Sequence, residues 1–564
     1  MRASGPRSAI RRCGSRWRDN RAVHVPPVYP YFPPQELSSS GVALTQVAIV
    51  GAGPVGLACA IDLAQHGVDF IIIDDNNTVS AGSRAICWAK RTLEILDRLG
   101  CGDAVCARGV SWKVGKVFFR DKLAYEFDLL PEPGHKRPAF INLQQYLLEE
   151  VMVERLAALN HAVRWKNKAI GVTHRADGAR LEVETPDGCY AIEADYVIAA
   201  DGARSAVRNT LGLAWEGQVF RDRFLIADVV MQGDFPTERW FWFDPPFHSG
   251  GSALLHKQAD GLWRIDLQLG WECDPDEEKK PERVIPRIRA MLGSERAFEL
   301  EWVSVYTFQC ARLERFVHDR VIFVGDAAHQ VSPFGARGGN SGVQDADNLC
   351  WKLARIVRKD SPASLLETYN DERVEAANEN ILNSARSTDF ITPKSVASRK
   401  MRDAVLALSR QHPFARRMVN SGRLSTPTAH RASASSTPDN DSFSCAPAPG
   451  APAVDAPVQV AGRNASLLDQ LGGRFDLLVF DDNKKTADAL EFEFGHSLCV
   501  ARVAPGRSSS AHAFADAEGL ASRRYDAQSG AVYLLRPDQH VAARWRTPSV
   551  AEVRSALQRA QGIA

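Results

Sequence analysis

The sequence predicts an α/β protein in which a Rossmann-like domain is interrupted by an antiparallel β-sheet domain and followed by a smaller C-terminal α/β domain. Three observations support this fold class. A buried strand, a glycine turn and a helix follow one another in 47–66, and short strand-like runs rich in aromatic residues fill 225–308. A second pattern of apolar strands and a final helix begins near Phe475. The length of 564 residues is enough for several cores of ordinary size.

The first unit opens as a parallel βαβ motif. Apolar residues over 47–50 predict a buried strand, and the helical spacing of Leu57, Ile61 and Ala64 predicts a helix over 54–66. Gly67 ends that helix, and 68–73 is the next strand. Two neighbouring parallel strands joined by a helix form a right-handed unit.

Later segments complete the interrupted domain and add the C-terminal one. Alternating residues around the turn at 186–188 predict an antiparallel hairpin, and helices are expected at 340–357 and 365–383, with a break at Pro362. Residues 425–449 are poor in large apolar side chains and rich in Ser, Thr, Pro and Ala, as in a linker. The predicted organisation is a disordered tail at 1–42, the Rossmann-like domain at 43–214 and 311–424, the antiparallel domain at 215–310, the linker at 425–449 and the C-terminal domain at 450–564.

Composition excludes several classes of protein. The net charge of +1 gives no reason to expect nucleic acid or an anionic membrane as a partner. The one long uncharged stretch, 41–61, is broken by a glycine turn, so no membrane span is expected. Eleven cysteines without a Cys-x-x-Cys pair indicate reduced thiols in a cytoplasmic protein, and no metal site is predicted. The Arg-rich start resembles a transit peptide, although a disordered tail or an early start codon is the favoured interpretation.

The glycine turn has the spacing of a dinucleotide site. Gly51 permits the tight turn, Gly53 lets the backbone approach a pyrophosphate, and Gly56 allows the helix to pack closely on the strand. The helix that starts at Pro54 then presents its free N–H groups to the phosphates. Asp74, at the end of the next strand, suits the unphosphorylated adenosine ribose of FAD or NAD.

Two later motifs distinguish FAD from NAD. Asp201-Gly202 and Gly325-Asp326 each follow a short apolar strand far along the chain. A plain NAD dehydrogenase has no use for the second of these, whereas an extended FAD needs hydrogen-bond partners for its ribityl chain and ring. The three motifs together therefore predict an FAD site.

From about Val47 to Arg373 the sequence resembles the FAD-dependent aromatic-ring hydroxylases, the family of p-hydroxybenzoate and phenol hydroxylases, and most closely the branch of 3-(3-hydroxyphenyl)propionate hydroxylase. In that family NADH or NADPH reduces FAD, O₂ adds to form a flavin C4a-hydroperoxide, and its distal oxygen attacks an electron-rich ring. The resemblance implies a monooxygenase that hydroxylates a small phenolic or aromatic compound. A homodimer is left open.

The resemblance also implies a set of residues around a tight, non-covalent FAD. Asp201 and Gly202 would serve both FAD and NAD(P)H, and Gln144 competes with Gln145 for the contact on the flavin side. His329 is expected to be a packing residue at a helix start. The implied cofactor-binding residues are Gly51, Gly53, Pro54, Gly56, Asp74, Arg84, Gln145, Asp201, Gly202, Gly325, Asp326, Pro333, Gly338, Gly339 and Asn340.

A phenol has a pKa near ~10, so a base or a positive neighbour should assist its ionisation. The candidate catalytic residues on the predicted substrate sheet are Arg221, His248 and Tyr306, with His256 as a further candidate. The C-terminal domain resembles the thioredoxin-like domain of phenol hydroxylases but lacks the paired cysteines of thiol exchange. Cys499 stands alone, which predicts packing or a subunit contact.

Other classes of protein remain as alternatives. Cys101 and Cys106 have the spacing of a disulfide reductase, but no second Gly-x-Gly-x-x-Gly follows, and two half-buried thiols near a helix end are the favoured interpretation. Residues 240–245 partly resemble the flavin halogenase signature, with Asp244 in place of Ile. A flavin reductase or dehydrogenase without oxygen insertion would turn over without O₂ uptake, and a flavoprotein sensor or scaffold would not respond to phenols.

Overall fold

The computed structural model describes residues 25–39, 41–80, 82, 85–231, 235–419, 424–482, 484–505 and 513–563, and for 218–221 it describes the backbone only. Residues 1–24 of the predicted tail and the predicted FAD contact Arg84 lie outside the described residues. Within the described ranges the protein has three large β-sheets, one small sheet and helices packed around them.

The first sheet is built around a run of five parallel strands, and it has eight strands in all. Val42–Val50 lies in the middle, and its residues Val47 and Ile49 are fully buried, as expected for a strand covered on both faces. The strands in order are Val317–His318, Val321–Phe323, Gly188–Ala199, Val42–Val50, Phe70–Asp74 and Arg164–Trp165. Ala179–Thr185 pairs antiparallel with Gly188–Ala199, and Lys168–His174 pairs antiparallel with Ala179–Thr185.

The predicted helices of this unit are observed, and most of their ends lie within a few residues of the predicted positions. The first helix spans Pro54–Gln65 and buries Leu57 and Ile61 against the sheet. Helices Gly338–Val357 and Leu365–Ile391 match the predictions, although the second runs eight residues farther than expected. The other helices that belong to or surround this unit are Gln35–Ser38 (3-10), Lys90–Arg98, Gly102–Arg108, Gln145–Ala158, Ala206–Thr210, Gly325–Ala327 (3-10), Val396–Ser409 and Pro413–Val419, and a small sheet consists of Cys87–Ala89, Phe140–Asn142 and Val110–Trp112.

The second sheet also has eight strands and is antiparallel except for one pair. Its two faces differ: Leu225 and Ile265 belong to an apolar cluster with helix Pro281–Leu292, whereas Phe224 and Phe308 on the other face pack against Phe334. The strands in order are His329–Gln330, Phe298–Arg312, Glu216–Met231, Leu262–Leu269, Ser252–Lys257, Arg239–Phe243, Val114–Phe119 and Lys122–Asp128, and the helices beside them are Pro246–His248 (3-10), Ala259–Gly261 (3-10), Pro275–Glu278 and Pro281–Leu292.

Two strands of the second sheet come from a part of the chain that the sequence places in the Rossmann-like domain. Val114–Phe119 pairs in parallel with Arg239–Phe243, and Lys122–Asp128 pairs with Val114–Phe119. Residues that lie more than one hundred positions apart thus form one edge of the sheet. The alternation of a single short strand predicts its two faces but not its partner, which is why the sequence did not place this pair.

The start of the described chain packs on the first sheet. The Tyr29 ring stacks on Trp165 with 4.6 Å between ring centroids, and Arg164 forms an ion pair with Glu36. Residues 25–39 therefore make ordered contacts before position 43, the predicted start of the first domain.

The third sheet, at the C-terminus, has seven strands and shares an apolar core with the first unit through Trp351 and Phe475, whose ring centroids are 5.5 Å apart. Residues 425–449 form no helix or strand, yet His430 and Ser435 in this segment are buried. The strands in order are Arg463–Ser466, Pro457–Val460, Ala513–Ala515, Cys499–Ala504, Asp476–Phe480, Val532–Leu535 and Val541–Trp545, and the helices are Leu468–Gln470 (3-10), Lys485–Phe494, Leu520–Arg524 and Val550–Ala560. Among the described residues, no helix has both the length and the apolar character needed to span a bilayer.

Candidate functional site

The glycine turn joins strand, helix and neighbouring strand with almost no free space. Gly51 has a φ of +102°, and a Cβ there would lie 2.5 Å from the carbonyl oxygen of Ala200. A Cβ on Gly56 would lie 1.9 Å from the carbonyl oxygen of Gly51. Both positions therefore require glycine for packing.

Gly53 differs from the other two glycines because space is open beside it. The nearest atom to a Cβ built there is Glu149 Oε1, at 4.0 Å. Gly53 is also the N-cap of helix Pro54–Gln65, and no side chain caps this helix. The free N–H groups of the first turn consequently face an opening into which an anion can fit.

Polar side chains of helix Gln145–Ala158 border this opening. Gln145 Nε2 lies 3.0 Å from Ser80 Oγ and 2.8 Å from Glu149 Oε1, and the amide of Ser80 donates to Glu149 Oε2 at 2.6 Å. Burial raises the pKa of Glu149, although these hydrogen bonds oppose the shift. The competing residue Gln144 points elsewhere, since its Nε2 lies 3.3 Å from the carbonyl of Ala259.

Asp74 occupies the end of its strand, as the sequence predicts. Its carboxylate accepts hydrogen bonds from the amides of Ala52 (2.7 Å) and Asn76 (2.9 Å). Burial raises the pKa of Asp74, and both hydrogen bonds lower it. Asp74 therefore also holds the glycine turn in place, in addition to any contact that it makes with a ligand.

The second and third motifs are tied to each other by Arg208. Asp201 accepts from the amide of Val207 at 3.1 Å and so orders the turn at Gly202, and burial raises the pKa of this carboxyl. Arg208 donates to the carbonyl of Ala203 at 2.9 Å and to that of Ala327 at 3.3 Å. One side chain thus joins the segment after Gly202 to the segment after Gly325.

Asp326 is exposed, whereas the residues around it are fixed by a buried charge cluster. Asp345 accepts from the amide of Gly325 (2.8 Å), from His329 Nε2 (2.7 Å) and from Arg373 Nε (2.6 Å). Burial alone would raise the pKa of Asp345, but His329 and Arg373 outweigh it and lower the pKa.

His329 packs as predicted, since its ring stacks on Phe316. The expected location was wrong: His329 lies in the strand His329–Gln330 and not at a helix start. The glycine-rich segment that follows it delays the helix until Gly338.

The segment from Pro333 to Asn340 leads into helix Gly338–Val357. Asn340 is buried, and its side chain accepts from the amide of Ala89 (2.8 Å) and donates to the carbonyl of Cys87 (2.8 Å). A Cβ on Gly339 would lie 3.1 Å from Trp88. These contacts fix the backbone of the loop, so its amides hold a constant position.

These features fit a dinucleotide that runs along the carboxyl ends of the first sheet. The open helix start at Gly53 could hold the pyrophosphate, and Asp74 stands where a ribose would lie. Asp326 and the fixed amides of Gly338 and Gly339 are placed farther along and could contact the distal part. The set of donors and the free space beside Gly53 agree with FAD.

Two neighbouring cavities, a larger and a smaller one, lie between the second sheet and the loop at Pro333. They share the lining residues Arg239, Phe241 and Phe334. The walls are mainly aromatic and aliphatic, as in sites for small apolar ligands. The polar residues of the smaller cavity are Arg239, Ser252 and Asp266.

The predicted substrate-activating residues do not line either cavity, as far as their side chains are described. His248 lies 2.6 Å from the carbonyl of Gln268, and burial lowers its pKa. His256 is buried, which also lowers its pKa. Tyr306 packs beside the cluster that contains Phe224 and Phe334. The side chain of Arg221 lies outside the described residues.

Sequence reasoning missed four polar residues at these sites. Glu149 lies one helical turn after Gln145, and Arg208 lies three residues after Ser205. Arg239 is the one charged residue of strand Arg239–Phe243, and Asp266 follows Arg264 at the alternate position of strand Leu262–Leu269, on the face that turns toward the cavities. Charged residues at alternate positions of a buried strand would have been the signal for this last pair.

The cysteine pair that suggested a disulfide reductase and the tryptophans that suggested a flavin halogenase both have structural roles. Cys101 and Cys106 are free thiols, and burial raises the pKa of Cys101 to about 12 and also that of Cys106. Thiols held in the protonated form are poor nucleophiles. Trp240 and Trp242 pack with Phe118 on the face of the second sheet that is turned away from the small cavity.

Residues 44–384 match a family model described as an FAD binding domain. This match covers more than half of the chain, and the chain belongs to this family, the FAD-binding aromatic hydroxylases. The family consists of flavin-dependent monooxygenases that hydroxylate aromatic substrates.

Similar proteins extend the likeness beyond this domain. The chain is 29% identical to 6-methylpretetramide 4-monooxygenase of Streptomyces rimosus over 91% of its length and 93% of the relative. It is 27% identical to 2,4-dichlorophenol 6-monooxygenase of Delftia acidovorans over 92% and 98%. The structure of the flavin-dependent monooxygenase PieE with FAD and substrate superposes with a TM-score of 0.78 at 23% identity, and covers 93% of this chain and 100% of that one. This last likeness shows the fold alone.

Proposed function

We propose that the protein is an FAD-dependent monooxygenase that uses NADH or NADPH and O₂ to hydroxylate a small phenolic compound. The observation that carries the proposal is the position of one loop. Pro333 and Phe334 line the small cavity, and a few residues later helix Gly338–Val357 begins, in which a Cβ on Gly342 would lie 2.6 Å from Val55 in the first turn of helix Pro54–Gln65. The course of this segment supports a substrate cavity next to the proposed cofactor cleft.

The chain's own residues would hold FAD along the first sheet. Gly53 and the free helix start bind the pyrophosphate, Asp74 and Asp326 accept hydrogen bonds from hydroxyl groups, and Gln145 contacts the flavin side. When bound, FAD supplies the reducing and oxygen-activating chemistry. The protein excludes water with Phe224, Phe241, Phe308 and other aromatic side chains around the substrate ring.

The names of similar proteins support a phenolic substrate. One is a 3-(3-hydroxy-phenyl)propionate/3-hydroxycinnamic acid hydroxylase of Mycolicibacterium smegmatis, 26% identical over 91% of this chain. Another is a 2,4-dichlorophenol 6-monooxygenase. We therefore place the substrate among phenols that carry a short side chain or a small substituent.

We also propose the predicted division of the chain, with a thioredoxin-like C-terminal domain that has no redox function. Cys499 is buried beside Asp476, and burial raises its thiol pKa. Residues 450–564 contain a single cysteine in their sequence, so this part of the chain has no Cys-x-x-Cys motif. Such a domain supports the fold through contacts and not through thiol exchange.

The function is tested with a panel of phenols, hydroxyphenylpropionates and hydroxybenzoates. The FAD-loaded protein is given NADH or NADPH, and oxygen consumption is recorded with and without each compound. We expect at least one phenol to stimulate oxygen uptake and to yield a product heavier by one oxygen atom. Oxidation of NAD(P)H that is unchanged by every compound would contradict the proposal.

A further inference from the structure

We propose that Asp266 accepts the proton of the substrate's aromatic hydroxyl group, and that Arg239 donates a hydrogen bond to the same oxygen atom. This inference rests on the proposed function and names the two side chains that activate its substrate. Both line the small cavity, whose other walls are mainly apolar.

The two side chains have unused hydrogen-bonding capacity. Asp266 Oδ1 and Arg239 Nη1 are buried, and neither atom has a hydrogen-bond partner in the described part of the chain. In the described part of the chain, Arg239 and Asp266 also form no ion pair with each other. A buried polar atom without a partner is costly, and such atoms are kept where a ligand completes them. A hydroxyl group can do so for both, because it donates to the carboxylate and accepts from the guanidinium.

Arg264 lies in the same row of side chains as Arg239, but only Arg239 is available to the ligand. Arg239 lies opposite His256 and His256 lies opposite Arg264, so the three form a row across adjacent strands. Arg264 is held by Asp228, with Nε–Oδ1 at 2.8 Å and Nη2–Oδ2 at 2.7 Å. This pair neutralises Arg264 and orients it toward its own partner.

Asp266 is suited to accept a proton near neutral pH. Burial raises its pKa to about 6, while Arg264 and Arg239 oppose the shift and Asp228 adds to it. The carboxylate is therefore still mainly ionised at pH 7 but is a stronger base than an ordinary aspartate.

The other titratable groups near Arg239, His256 and Arg264 do not serve as the proton acceptor in place of Asp266. Burial, Arg239 and Arg264 hold the pKa of His256 well below its usual value, so its ring is neutral, and Tyr306 lies on a neighbouring strand beside Phe224. In the proposed step the phenol O–H bond breaks, the proton passes to Asp266, and the negative oxygen remains beside Arg239.

The test compares Asp266→Asn and Arg239→Met with a matched control, Asp276→Asn, whose carboxyl is exposed on the same domain. FAD content is measured first. The pH dependence of kcat/KM is then recorded with the best phenol of the panel. In a separate measurement without turnover, difference spectra give the affinities for 4-nitrophenol and for 4-nitroanisole, which has no hydroxyl proton.

We expect kcat/KM of the unaltered protein and of Asp276→Asn to rise through pH about 6. Asp266→Asn should lose about 100-fold or more at pH 7, as for removal of a general base, and its rise should move toward the pKa of the free phenol. Arg239→Met should lose most of the preference for 4-nitrophenol over 4-nitroanisole, about tenfold.

The assignment would be overturned if Asp266→Asn kept FAD and the unaltered pH profile, or if Arg239→Met preferred 4-nitrophenol as strongly as the unaltered protein. An unaltered protein that binds no FAD, or that consumes no oxygen with any phenol, would instead contradict the proposed function itself. The two failures are therefore distinguishable.

Discussion

Arg536 and Glu372 form a two-pronged ion pair between the C-terminal unit and helix Leu365–Ile391, with Nη1–Oε1 at 2.6 Å and Nη2–Oε2 at 3.1 Å. Both side chains are fully buried. Lys352 Nζ reaches the same carboxylate at 2.9 Å, and Asp538 shares Arg536. The C-terminal unit is therefore attached to helix Leu365–Ile391 by buried charges.

We expect Arg536→Met to lower the free energy of unfolding by about 3–5 kcal/mol, because it leaves Glu372 and Asp538 buried without their main partner. Denaturant unfolding followed by circular dichroism measures this loss. The double variant Arg536→Met/Glu372→Gln should recover part of it, and a single variant as stable as the unaltered protein would show that the pair is not buried in solution.

The same pair predicts how stability depends on pH. Burial alone would raise the pKa of Glu372, but Arg536 and Lys352 outweigh it and hold the pKa well below its usual value. The ionised carboxylate therefore stabilises the fold at pH above about 4.3, its unfolded pKa, and this contribution is lost as pH falls through the lower folded value. We expect the unfolding free energy of Glu372→Gln to decline less steeply below that pH.

The two glycines of the first turn should respond differently to alanine. Gly56→Ala places a methyl group 1.9 Å from the carbonyl oxygen of Gly51 and should destabilise the fold. Gly53→Ala meets no protein atom closer than 4.0 Å, so the apoprotein should keep its melting temperature but bind FAD about tenfold or more weakly. Fluorescence titration with FAD measures the affinity, and unchanged FAD affinity in Gly53→Ala would remove this residue from the cofactor site.

Asp326 and Asp345 lie close in the fold but should have different functions. Asp326→Ala changes an exposed side chain and should lose FAD while the melting temperature of the apoprotein stays the same. Asp345→Asn disrupts the contacts to His329 and Arg373 and should lower stability by about 3 kcal/mol or more. Absorbance of the purified variants near the flavin bands tests this, and a yellow Asp326→Ala protein would count against the assignment.

Asp266 should reduce stability above its pKa. An acid whose folded pKa of about 6 exceeds its unfolded value favours the protonated folded state, so the unfolding free energy falls as pH rises through this interval. Asp266→Asn lacks this titration, and at pH 7 it should be more stable than the unaltered protein by about 1–3 kcal/mol. Thermal unfolding at pH 5 and pH 8 measures the difference, and equal shifts at both values would contradict the charge argument.

Local patterns were enough to predict much of the fold. The apolar run at Val47–Val50, the helix after Pro54 and the hairpin turn at Gly188 depend on neighbours within a few residues, and each was predicted close to its observed position. The pairing of Val114–Phe119 with Arg239–Phe243 was not predicted, because the sequence of one strand does not indicate which distant strand it pairs with.

The cofactor cleft was more predictable than the substrate cavity. Glycines at Gly51 and Gly56 leave a signal in the sequence because only glycine fits there. The candidates His248 and His256 were chosen by residue type on a predicted sheet, which does not tell which face of a strand meets the cavity. The cavity depends on Pro333 and Phe334, a loop that meets the sheet only in the folded chain.

As a monooxygenase, the protein should transfer one atom of O₂ to an aromatic substrate. The direct measurement is mass spectrometry of the product formed under oxygen-18 gas by the FAD-loaded protein with NADH or NADPH and the phenol panel. We expect a product that carries one oxygen-18 atom. Consumption of NAD(P)H and oxygen without any labelled product would contradict it and would indicate a flavin oxidoreductase that inserts no oxygen.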